Sequence, residues 1–88
     1  MTKKTRQKLE ALLNAIERNV EIKNTNDSLS KWVASVKAEI KNGGILESIV
    51  GWGDTPDKAV EDMLSHVSGK LLVTDAFSPT RREIYFKF

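Results

Sequence analysis

The sequence predicts an α+β fold in which a four-stranded, mostly antiparallel sheet is covered by helices, in the order α-β-β-α-β-β. Three observations carry this. Apolar residues recur every three or four positions in two segments, they alternate with polar residues in others, and Gly51-Trp52-Gly53-Asp54-Thr55-Pro56 joins one pattern to the other. At that junction Asp54 and Thr55 offer side-chain oxygens to the unpaired N–H groups of a helix beginning at Pro56, where a missing N–H costs nothing.

Between Lys8 and Val20, the residues Leu9, Leu12, Leu13, Ile16 and Val20 make one apolar stripe, so residues 1–20 are expected to form an N-terminal amphipathic helix. The entropy of ordering such a helix cancels most of what its stripe gains, so it must dock. Its own sheet or a twin helix in a homodimer would serve. Residues 21–30 are polar, with the turn-prone Asn24-Thr25-Asn26-Asp27-Ser28 at their centre, and are expected to be a linker; Val20 and Ile22 leave room for a short extra strand. Residues 31–88 then form a β-β-α-β-β module, and residues 1–88 one domain.

Within the module, Trp32, Ala34, Val36, Ala38 and Ile40 alternate with Ser35, Lys37, Glu39 and Lys41, as in a half-buried strand. Asn42-Gly43-Gly44 supplies residues that tolerate positive φ, and a second strand over Ile45–Trp52 completes a hairpin. Ala59, Val60, Met63, Leu64 and Val67 mark a helix over 56–68 that Gly69 stops in a left-handed conformation. Leu71-Leu72-Val73 is the third strand and Asp75–Thr80 a turn. The last strand, Arg82–Phe88, places Ile84, Phe86 and Phe88 opposite Glu83, Tyr85 and Lys87.

A chain of 88 residues buries only roughly 60–65% of its unfolded surface and offers little room for an enclosed active site. It has no cysteine, hence no disulfide, thiolate metal site or thiol nucleophile, and an intracellular, cytoplasmic home is expected. The basic start Met1-Thr2-Lys3-Lys4-Thr5-Arg6 leads into a charged amphipathic segment rather than an apolar signal core, and no run approaches a membrane span, so no membrane association is expected. The net charge of +2 does not demand a nucleic-acid partner, but the distribution is uneven. Lys3, Lys4, Arg6 and Lys8 precede the first acid, Arg81 and Arg82 stand together, and Asp54, Asp57, Glu61 and Asp62 make the second helix acidic.

Candidate chemistry is sparse. His66 is the sole histidine, so a histidine metal site or a histidine-supported nucleophile lacks partners. Asp57 and Glu61 share a helix face, but acids in the first turns of a helix are expected from its dipole. Ser68-Gly69-Lys70 follows a helix and leads into a strand, the reverse of a phosphate-binding loop. No cofactor, metal or catalytic residue is therefore assigned. Trp52 lies between two glycines, where a backbone can approach a ligand or another chain closely, with packing of the indole in the core or at its rim as the competing reading. With Arg81 and Arg82 it is the expected partner-binding surface, because interface energy concentrates on aromatics and arginines. The alternative is nucleic-acid binding through Lys3, Lys4, Arg6 and Lys8 with the arginine pair, Trp52 or Tyr85 stacking on a base.

The junction Gly51–Pro56 followed by Ala59-Val60 resembles the HicB-like family of small antitoxin domains, over about residues 31–74. That resemblance implies two strands running into a Gly-Asp-Thr turn and a helix, with a small toxin protein as partner. Including Ser68–Val73 and Arg81–Ile84, the pattern is similar to small proteins encoded by bacteriophages and prophages. This implies an accessory protein in a bacterial host, an inhibitor of a host enzyme or defence system. A double-stranded-RNA-binding domain differs in running α-β-β-β-α with a basic loop before its last helix. The expectation is a non-catalytic protein-binding domain, with nucleic-acid binding and assembly through the N-terminal helix as rivals.

Overall fold

The hydroxyl of Thr2 accepts the Thr5 N–H at 3.1 Å and opens helix α1, Lys3–Ile16, in a computed structural model that describes residues 1–26 and 31–87. Glu17, at φ 54°, closes the helix in the left-handed conformation. The helix thus starts earlier than its apolar stripe and ends before Val20, which corrects the expected helix over 1–20. Leu9, Leu12 and Ile16 are buried in the chain's own core. The stripe that was expected to dock on a sheet or on a twin helix is spent within one molecule.

Val20 instead opens strand β1, Val20–Asn24, where it pairs with Val36. Residues 21–24 are therefore strand, not linker, and the order becomes α-β-β-β-α-β-β. Thr25 and Asn26 follow β1, whereas Asp27 and Ser28 of the expected turn lie outside the described residues. Polar composition hid the strand: Glu21 and Lys23 occupy the face away from the helices, leaving only Val20 and Ile22 to signal a period of two.

The other strands are β2, Trp32–Asn42, β3, Ile45–Gly53, β4, Lys70–Thr74, and β5, Arg82–Phe86; helix α2 spans Pro56–Ser65. Among the described residues the sheet has five strands rather than four, and every pairing is antiparallel. Phe88, expected in the last strand, lies outside the described residues. β2 organises the sheet. Along one edge it carries β3, and along the other it carries two shorter strands end to end, β1 against Trp32–Val36 and β4 against Glu39–Lys41. β5 continues the sheet beyond β4. The change of partner coincides with a bulge: Val36 faces Ile49 and Glu39 faces Ser48, so Lys37 and Ala38 are extra. An even insertion preserves side-chain parity, which is why the alternation from Trp32 to Ile40 runs unbroken through the bulge. At the hairpin Asn42 pairs with Ile45 around Gly43-Gly44, and Gly43 alone takes positive φ, at 63°.

Both helices lie on the same side of this sheet. Their buried residues Leu12, Ile16, Val60 and Met63, with Val67 in the turn after α2, join Ala34, Val36, Ile40, Leu72 and Phe86 in one core. At roughly 2 kcal/mol for each large side chain, this burial is the main stabilising force. α1 and α2 run side by side: the Met1 ammonium meets Asp57, and Thr5 and Lys8 border a crevice with Glu61 and Ser68. α2 ends at Ser65 with His66 as its right-handed cap, which corrects the expected helix over 56–68 stopped by Gly69. Gly69, at φ 76°, instead ends the turn that leads into β4 and donates its N–H to the Phe86 carbonyl at 2.7 Å.

Candidate interaction surface

Thr55 caps α2 by accepting the Lys58 N–H at 3.1 Å, and Pro56 takes the first helical position. The helix this starts folds straight back over β3. A β carbon on Gly51 would overlap the Ala59 carbonyl oxygen and the Met63 backbone, and one on Gly53 would overlap Lys58 and Ala59. The close approach these glycines permit is therefore used by the chain's own helix. Trp52, between them, points to the opposite face.

On that helix-free face Trp52 lies beside Val33 and is 47% exposed. Its backbone N–H leaves the sheet edge to donate to the Asp62 carboxylate at 2.9 Å, which ties β3 to α2 without using the indole. A second row, apolar except for Lys41, crosses the same face through Leu46, Lys41, Leu71 and Tyr85, the tyrosine 66% exposed. Measured along β3 from Trp52 to Leu46, the two levels are about 20 Å apart at ~3.3 Å per residue. Between and beside them run charge pairs. Lys41 meets Glu83 at 2.9 Å and Arg81 meets the same carboxylate at 3.4 Å. The Lys41 hydrogen bond, then its charge, and then Arg81 hold the Glu83 carboxyl below its usual range. Lys23 does the same for Glu21, whose carboxylate in turn raises the Lys23 ammonium.

The two arginines separate. Arg81 joins Glu83 on the helix-free side, but Arg82 sits opposite Thr74 with its side chain on the helix side, where it pairs with Glu17 and reaches the Ala15 carbonyl. There it neutralises the C-terminal end of α1, as a cation in that position should. Next to it Arg18 pairs with Asp75 at 2.9 Å, and that hydrogen bond holds the Asp75 carboxyl below its usual range. Trp52 and Arg81 thus share a face, whereas Trp52 and Arg82 do not. Of the basic N-terminal residues, Lys3, Lys4 and Arg6 are exposed, and Lys8 is half buried in the crevice with Glu61. The largest exposed side chain that sequence reasoning passed over is Phe77, 98% exposed on the β4–β5 loop. Its signal was present in the sequence: a phenylalanine inside a turn-rich stretch has no strand or helix face to pack into.

Among the described residues, no nucleophile–base pair assembles around His66. It lies 3.6 Å from the Asp62 carboxylate, while the neighbouring Ser65 hydroxyl donates to the Asp62 carbonyl rather than to the imidazole. Among the described residues, no group of three or more His, Cys, Asp or Glu side chains converges to hold a metal ion, and no helix is long and apolar enough to cross a membrane. Comparison with family models, curated proteins and solved structures finds no match to this chain.

Proposed function

We propose that this chain is a non-catalytic binding protein whose helix-free sheet face, centred on Trp52 with Arg81 on its far side, docks on a protein partner. The observation that carries the reading is the half-exposed Trp52 on a face no helix covers. An indole so placed supplies contact area without being needed in the core. The motif resemblances supply the setting: a phage-type accessory protein in a bacterial cytoplasm, blocking a host enzyme or defence component as HicB-like modules engage toxins. Arg82 drops from the surface because its charge is spent on Glu17 and α1. Affinity capture from the bacterial host with the wild-type protein, Trp52→Ala and Arg82→Ala tests this. The partner is lost with Trp52→Ala and kept with Arg82→Ala; equal capture by all three discards the surface.

Nucleic-acid binding is the second reading, and exposed Lys3, Lys4 and Arg6 favour it. The extra strand also makes the first five elements run α-β-β-β-α, so element order no longer separates this chain from a double-stranded-RNA-binding domain. The start of α2 still does: Asp57 and Glu61 face the basic start of α1 and oppose phosphate there. Affinity falling steeply with salt, by about 0.9 log units per log unit for each phosphate contact on a duplex, would favour this reading, and no gel shift at low salt would remove it.

A further inference from the structure

We infer that the free edge of β3 is a pairing site for the β3 strand of a second copy of this chain, joining two sheets into one. The inference is independent of the partner-binding reading above. Among the described residues, β3 has a neighbour on one side only. The Trp52 N–H leaves that strand away from β2 to reach Asp62, and with a period of two Val50, Ser48 and Leu46 also present both N–H and C=O outward. Such an edge is a template for another strand unless it is blunted by charge, proline or twist. The remaining edges are blunted: β1 carries Glu21 and Lys23, and β5 carries Arg82 and Glu83. β3 is nine residues long and its only charge is Glu47.

The second copy is favoured as occupant because the edge is bounded at both ends in a way that sets its own symmetry. At one end Asp62 already occupies the Trp52 N–H, and at the other the chain leaves at Gly43-Gly44. The free stretch is Leu46–Val50, with Ser48 at its middle. An antiparallel two-fold pairing about Ser48 sets Leu46 opposite the partner subunit's Val50, two apolar residues, on the helix-free face. It sets Glu47 opposite Ile49, so no like charges meet. It also brings Ile45, 66% exposed on the hairpin, alongside Gly51 of the other copy.

The chain has no cysteine, so a single one reports position cleanly. Sedimentation equilibrium is expected to give twice the 9.9 kDa chain mass at high concentration. Ser48→Pro removes an N–H that points out of the sheet, so it leaves the monomer folded while weakening self-association about a hundred-fold or more. Ser48→Cys, mildly oxidised, yields a covalent dimer with native circular dichroism, and Trp52→Cys does not. A protein that stays monomeric at every concentration, including one whose β3 captures only another protein's strand, overturns the inference. So does a dimer that Ser48→Pro leaves intact. Should Ser48→Pro fail to fold, the cysteine pair decides alone, and absence of the Ser48→Cys cross-link overturns the proposal.

Discussion

Gly51 and Trp52 are neighbours in sequence and obey opposite rules, because a strand sends one to the helix-covered face and the next to the bare one. At Gly51 there is no room for a methyl group; at Trp52 the largest side chain in the repertoire stands half in solvent. The same division runs through most of the sheet, with Val73, fully buried between Glu39 and Glu83 on the helix-free face, as an exception. The covered face holds Ala34, Val36, Ile49 and Leu72 at close packing, and the bare face mixes Val33, Leu71 and Tyr85 with ion pairs exposed to water. A glycine-flanked aromatic can thus be two separate features. The glycines serve the fold, and the aromatic is left for something outside it.

The sharpest way to break this division is Gly51→Ala. It is expected to cost about 3 kcal/mol or more, or to prevent folding, because the obstructing atoms are helix backbone and cannot rotate away. Trp52→Ala, one residue on, should change stability by only about 1 kcal/mol in the same urea titration. A similar loss from both would mean that the indole belongs to the core. Next comes Leu12→Ala, which opens a cavity beneath α1 and should cost about 3 kcal/mol, whereas Tyr85→Ala on the bare face should stay within about 1 kcal/mol. Thr74 sharpens the covered side from the opposite direction. Its buried hydroxyl has no hydrogen-bond partner among the described residues, so Thr74→Val should raise stability by about 1 kcal/mol; a loss would show that the hydroxyl is satisfied.

The smallest expected effect is electrostatic. The carboxyls of Glu83, Asp75 and Glu21 titrate below their ordinary values in the folded chain because they accept hydrogen bonds from Lys41, Arg18 and Lys23 respectively. A carboxyl depressed on folding binds its proton more readily when unfolded, so its contribution is present above the unfolded value and fades as pH falls through the folded one. Stability should therefore decline on acidification below about pH 4.5, and Glu83→Gln should flatten part of that decline. An unchanged pH profile in Glu83→Gln would show the pair to be idle. The effect is slight because all these groups are solvent-screened.

Much of the architecture was legible because it is local. The cap at Thr55-Pro56, the turn at Gly43-Gly44 and the stripes of both helices are each fixed by residues close in sequence, whereas the helix expected to run to Gly69 ends at Ser65. What escaped depends on distant partners. β1 is short, and two of its residues are charged, so only its pairing with β2 declares it a strand. The bulge at Lys37-Ala38 preserves alternation and becomes visible only against β3 and β4. For the site, the sequence left Trp52 open between core or rim packing and partner binding, and it grouped Trp52 with Arg82. Two consecutive arginines at a strand start point to opposite faces, and Glu17, distant in sequence, claims the second. Phe77 escaped because a residue inside a turn belongs to no periodic pattern from which its exposure could be read.

The two tryptophans allow the most direct test of this account. Trp32 is half buried on the covered side and Trp52 half exposed on the bare side. With the indole nitrogens labelled with nitrogen-15, addition of the captured partner should shift or broaden the Trp52 indole signal and leave that of Trp32 in place. A response at Trp32 with Trp52 unmoved would contradict the claim that the bare face is where this protein meets its partner.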